Sequence, residues 1–150
     1  MTPADFSFVT RWTFDHDRDH VWGVLNELVE SDDPAAWWRS VSSSRPDEDS
    51  LQLVVRSVLG YRLRIRVHDL RITPPATMRF RADGDLVGRG VLTAVATGPG
   101  TTGLVVEWDV TVTRPWMRRT SRILRPGFVA AHHVVMWQAR RQLGRVVDAG

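Results

Sequence analysis

The stretch RILRPGFVAAHHVVMWQARRQLGRVV, Arg122 to Val147, decides how the rest of the chain must fold. Phe128, His132, Val135, Met136, Ala139, Leu143 and Val146 recur at helical spacing and fall on one stripe. Arg140, Arg141, Arg145 and Asp148 take the opposite face, which belongs in water. Such a helix, ~35–40 Å long at 1.5 Å per residue, needs an extended partner to cover its apolar side.

The chain before it supplies that partner as alternating segments. Residues 6–14 set Phe6, Phe8, Trp12 and Phe14 against Ser7, Arg11 and Thr13. Leu51 to Val58 reads as a second strand, and Gly60 turns the chain into Tyr61 to Thr73. There Tyr61, Leu63, Ile65 and Val67 alternate with Arg62, Arg64, Arg66 and His68, the cleanest period-two signal present. Pro74-Pro75 ends it, and Met78, Phe80 and Ala82 open the next strand. Gly84-Asp85 leads into Leu86 to Ala96, and Gly98-Pro99-Gly100 into Leu104 to Thr113. Each strand has one apolar and one polar face, which predicts an antiparallel meander of about six strands with one side wet.

Between the first two strands, Asp17 suits an N-cap, and Val21, Trp22, Leu25, Leu28 and Val29 form a helical stripe. Asp33-Pro34 predicts a short second helix through Trp37 and Trp38, and Ser42 to Asp49 a polar loop.

A chain of 150 residues without a dividing linker suits a single domain spanning residues 1–150. The absence of cysteine excludes disulfides, thiolate metal sites and cysteine nucleophiles. No basic-then-apolar leader opens the sequence and no apolar run reaches the ~18–20 residues that span a bilayer, so a cytoplasmic protein is expected. The formal net charge of +3 is unevenly spread. Residues 1–50 carry four arginines against eleven acids, and residues 114–150 eight against one. This can steer an anionic partner or simply describe two solvated faces.

The order β-α-α-β-β-β-β-β-α, with a long last helix facing a curved sheet, resembles the SRPBCC superfamily, the START-like or helix-grip fold. That group includes Bet v 1-like proteins, polyketide cyclases and lipid-transfer domains. Several segments are similar to its polyketide cyclase/dehydrase branch. They are Val21-Trp22, Trp37-Trp38, Gly84-Asp85-Leu86 with Gly88 and Gly90, Trp108-Asp109-Val110 leading to Arg114-Pro115-Trp116-Met117, and His132 with Met136. These motifs mark a fold family and carry no catalytic signature. Gln142 stands where relatives have small residues, which narrows the expected inner space.

The resemblance implies a cavity between sheet and last helix that takes a small hydrophobic molecule such as a lipid, isoprenoid or aromatic polyketide-like compound. Trp37, Trp38, Tyr61, Phe80, Trp108, Trp116, His132 and Met136 are its candidate lining, with Gly88 and Gly90 leaving room. No cofactor is implied. A cyclase or dehydratase using the same cavity would need an acid or base aimed inside. His132, on the apolar stripe, and Asp69, inward if period two persists after Val67, are the candidates. The bland alternatives are a hydrogen-bonded core histidine, a bulged strand end, and an interaction module with a filled interior. Arg114, Arg118, Arg119 and Arg122 lie in a basic, aromatic connector that either stays solvated or meets an acidic lipid surface. No nucleic-acid recognition module accompanies it. His16 and His20, at i and i+4, make a weak metal pair with Asp17 or Asp19 and read as surface residues.

Overall fold

Alternating apolar and polar residues can hide one face each only by pairing into a common sheet, and here seven strands do so. The structure, a computed structural model, describes residues 6–57, 59–74 and 76–149, and at 118, 121 and 122 the backbone alone. The elements are β1 (Phe6–Phe14), α1 (Arg18–Glu30), β2 (Val41–Asp47), β3 (Ser50–Arg56), β4 (Arg62–Thr73), β5 (Thr77–Gly84), β6 (Leu86–Gly98), β7 (Thr101–Val112) and α2 (Pro115–Ala149). Strand order is β1-β7-β6-β5-β4-β3-β2, antiparallel throughout, with β1 and β2 at the edges. The expected ends at Val58 and Pro75 lie outside the described residues.

Three local expectations are corrected. The seventh strand, β2, occupies the segment read as a polar loop. Ser42, Ser43 and Ser44 pair with Val54, Leu53 and Gln52 of β3, and the register shifts between Ser44 and Asp47, around Pro46. An edge strand can be polar on both faces and can carry proline, so it lacks the alternation that reveals inner strands. The short second helix is instead a pair of turns, with the Ala36 N–H donating to Asp33 O (3.1 Å) and the Trp38 N–H to Ala35 O (2.9 Å). Finally, α2 starts at Pro115, so the basic connector is its first three turns. Proline is at home in that position because the N–H it lacks would have had no partner there. At 35 residues α2 runs ~50 Å, with Pro126 inside it.

The inner face packs in two clusters. One gathers Trp12, Phe14, Trp22, Leu25, Leu104, Met136 and Leu143 beneath α1 and the second half of α2. The other gathers Phe6, Leu63, Ile65, Val110, Met117 and Phe128 under its first half. On the stripe of α2, Val147 is fully buried while Val146 is half-buried.

Polar groups hold the helix in place. Gln138 Oε1 accepts from Ser40 Oγ, and Gln142 Oε1 accepts from the Arg39 N–H at 2.8 Å. His20 Nε2 donates to Val147 O at 2.8 Å, and His16 Nε2 lies 2.8 Å from Asp148 Oδ1. The two histidines thus fasten the end of α2 to the start of α1. Among the described residues no group of three metal-ligating side chains exists. At the other end, Asp85 accepts from the Arg64 N–H (2.7 Å) and lies 3.5 Å from Arg114 Nε, which ties the β5–β6 turn to the base of α2.

Gly88 and Gly90 do not hold space open. A Cβ on Gly90 would meet the Phe80 ring at 2.3 Å, and one on Gly88 would meet the Asp109 carbonyl oxygen at 1.9 Å. A ring can turn aside and a paired backbone cannot. Gly90→Ala should therefore cost about 1–3 kcal/mol, and most of that should return in the Phe80→Leu background. Gly88→Ala should cost more and gain nothing from Phe80→Leu. Urea midpoints of the four variants check this.

Candidate functional site

A cleft of about 390 Å³ opens between edge strand β1 and the middle of α2. Its position follows from topology, because β1 pairs only with β7 and its other side faces the helix without a neighbouring strand. Even-numbered residues of β1 point toward α2, bringing Thr10 and Trp12 to the cleft. From α2, His133, Met136, Trp137 and Arg140 form the opposite wall. Trp12 and Met136 are buried members of the core, so the cleft reaches apolar interior surface. Trp137, 58% exposed, stands at the rim with the Arg141 guanidinium 5.0 Å from its ring centre. Arg140 lies over the Phe14 ring at 5.1 Å and donates to Thr13 O at 2.9 Å, which fixes one charged group at the cleft.

Of the eight lining residues expected from sequence, only Met136 borders this cleft. The others are spread over the molecule. Trp37 and Trp38 stack on one another at 5.3 Å against the first core cluster, and Trp37 Nε1 donates to Pro34 O. Tyr61 and Trp116 pack edge-on with Phe128 at the far end. Phe80 lies 5.5 Å from Trp108 and covers Gly90.

Asp69 requires a correction. It does not follow Val67 inward, because the register of β4 shifts between His68 and Arg71. Asp69 adopts φ 52° and its side chain is 61% exposed beside His68 and Arg81. An interior acid or base role for it has no geometric support.

His132 lies next along α2 from the cleft residue His133. Its ring stacks on Phe8 with centroids 3.7 Å apart, and its Nε2 is buried with no hydrogen-bond partner. Burial, with a smaller contribution from His133, pulls its pKa from the ordinary 6.5 to about 4. The imidazole is therefore neutral at pH 7, with an unspent donor or acceptor in apolar surroundings. Trp38 Nε1 is likewise buried and unpartnered.

Sequence reasoning missed Thr10, Trp12, Trp137 and Arg140. The signal was present in part, since Trp12 belongs to the alternation of β1. Which strand would be left at the edge opposite α2 was not readable.

The low pKa of His132 has a consequence for stability. Between pH 6.5 and 4 the unfolded chain binds a proton there and the folded chain does not, so acidification through that window destabilises the fold. The loss attributable to this group is on the order of 3 kcal/mol. His132→Leu should be less sensitive to pH over that window. Parallel urea titrations of both proteins at pH 7, 5.5 and 4.5 should show their difference in stability changing with pH, and a constant difference would refute the assignment.

No protein-family model matches the chain, and a search of curated proteins finds no match. Solved structures do match. The Zhui aromatase/cyclase from Streptomyces sp. R1128 superposes with TM-score 0.75 at 13% identity, over 95% of this chain and 93% of that one. A Thermus thermophilus protein gives 0.72 at 15% identity, over 96% and 98%. A START superfamily protein from Mycobacterium smegmatis gives 0.67 at 15% identity, over 95% and 97%. With an antiparallel sheet packed along one long C-terminal helix over nearly the full length of these structures, the chain has the START-like, helix-grip fold.

Proposed function

We propose that this protein binds a small, largely apolar molecule in the cleft between β1 and α2. The observation that carries the reading is that two core side chains, Trp12 and Met136, line a solvent-open space. At about 390 Å³ it lies within the ~300–1,000 Å³ of small-molecule sites. Burial of ligand hydrocarbon against Trp12, Met136 and Trp137 supplies the affinity, at roughly 25 cal/mol per Å². Arg140, with Arg11 and His133 on the same lining, supplies polar groups that can orient one end. That a START superfamily protein and an aromatase/cyclase are among the structural neighbours agrees with an apolar ligand.

A second reading, a cyclase or dehydratase working on a reactive chain, rests on His132 alone, one helix position from the cleft wall. A neutral imidazole with a free buried nitrogen can accept a proton without first losing one. His132→Gln separates the readings: a carrier keeps its affinity, whereas a catalyst keeps binding and loses turnover.

Cleft binding is tested with the neutral fluorophore N-phenyl-1-naphthylamine. The native protein should bind it saturably. Thr10→Trp, which fills the cleft from a strand position suited to aromatics, should weaken binding roughly tenfold or more. Equal binding by both proteins would sink the proposal.

The base of α2 supports a further partner, an acidic lipid surface. Trp116, Ile123 (81% exposed), Leu124 and Leu59 put apolar side chains into solvent beside the exposed Arg119 and Arg125. Of the four arginines expected there, Arg114 is engaged with Asp85, and the side chains of Arg118 and Arg122 lie outside the described residues. Apolar anchors flanked by cations suit an anionic interface. Sedimentation with phosphatidylserine vesicles should capture the native protein and lose Ile123→Glu severalfold. Capture should also fall as salt is raised.

A further inference from the structure

A groove of about 610 Å³ lies largely on the face of the sheet turned away from α2. Its walls come mainly from the polar positions of β4 to β7, with Phe8 and Val9 of β1 and with Phe80 and Gly90. Arg71 faces Arg79 directly across β4 and β5, and Arg81 faces Arg89 across β5 and β6. Like charges in directly opposed positions repel, so two such pairs side by side cost stability. The surroundings do little to offset this. Of these arginines Asp69 reaches only Arg81, at 4.0 Å from Nε, and it also lies 3.5 Å from His68 Nδ1. Among the described residues, Arg71, Arg79 and Arg89 have no carboxylate within 4.0 Å, although Asp109 is the cross-strand partner of Arg89. Glu107 and Asp109 instead line the β7 side of the groove, Val91 lies between Arg79 and Glu107, and Val9 closes the β1 side.

The bulge in β4 contributes to this arrangement. The register shift between His68 and Arg71 bends the strand at Asp69, and a bulge of this kind re-aims the side chains beyond it. Four exposed guanidinium groups thereby border one concavity.

We infer that this groove binds a small phosphate-bearing anion, of the pyrophosphate or phosphate-ester class. Planar guanidinium forks match phosphate oxygens two at a time, and a bound anion turns both repelling pairs into bridged ones. The acidic wall on β7 sets the size of the ligand. A nucleic-acid strand needs a continuous cationic track, and Glu107 and Asp109 end this one after three strands. A compact anion fits between the arginines and leaves the carboxylates free to accept from hydroxyl or amino groups elsewhere on the same molecule. The groove is separate from the cleft between β1 and α2, so its occupancy does not depend on what that cleft holds.

Calorimetric titration of the full chain with inorganic pyrophosphate at low ionic strength tests the assignment. Saturable binding is expected, weakening as salt is raised. Combined Arg79→Gln and Arg89→Gln should weaken it roughly tenfold or more, while Arg62→Gln, on the same face outside the groove, should leave it unchanged. Removing the two charges relieves the repulsion, so the double variant should unfold at the same or a higher urea concentration than the native protein. Lost binding with intact folding therefore reports on the site itself. Equal affinity in the native and doubly substituted proteins would overturn the inference, as would no saturable binding to the native protein. Vesicles containing phosphatidic acid, presented to the Ile123→Glu protein so that the base of α2 does not hold them, form the second arm. Binding to those with none to pyrophosphate would assign the groove to a lipid surface and overturn the claim of a free ligand.

Discussion

One constraint organises the molecule: a single helix must cover the apolar face of a seven-stranded sheet. Hydrophobic burial drives the contact but does not specify where along its length the helix sits. The specifying contacts are polar and lie at the ends. Gln138 and Gln142 hold the segment that enters β2, His16 and His20 hold the C-terminal turn, and Arg114 with Asp85 holds the base. Gln142, which seemed from sequence to intrude on an inner space, spends its side chain on this fastening. Space on the inner face survives at the margin, where β1 has no strand beyond it.

That margin explains why the best apolar opening is a cleft at the sheet edge. Across the middle, Phe80 lies on Gly90, Trp108 packs against Phe80, and Phe8 stacks on His132. Aromatic residues that look like a cavity lining in one dimension form paired contacts in three. Among the described residues, the nitrogens of His132 and Trp38, with Arg18 Nε and Ser50 Oγ, are buried and unpartnered. Such atoms mark places where a ligand's polar group would lower the cost of burial.

Much of the fold was legible because its signals are periodic. The stripe of α2 and the alternation of β1 and of β3 to β7 each repeat often enough to be unambiguous. β2 was not legible, since an edge strand of serine, arginine and proline has no apolar face to betray it. The side Asp69 faces stayed open between an inward position and a bulged strand end, because one register shift reverses the facing of every residue after it. The extension of α2 back to Pro115 was hidden by a run of arginines that suits a loop and a solvated helix equally. Site residues were harder still. Trp12 meets Met136, and Arg79 meets Arg71, through register and strand order, which are properties of the assembled sheet.

Pro126, inside α2, has a mechanical consequence. Proline supplies no N–H to the carbonyl four residues earlier, so the helix is a jointed rod. Beyond the joint Phe128, Ala131, Val135, Ala139 and Leu143 are sunk in the core, whereas Met117 is the only large side chain before it among those described that is fully covered. The two arms therefore carry unequal loads. The outer arm, anchored by Met117 and by Arg114 on Asp85, tolerates sequence drift more readily than the inner arm, so the molecule's tip and its body are free to evolve at different rates.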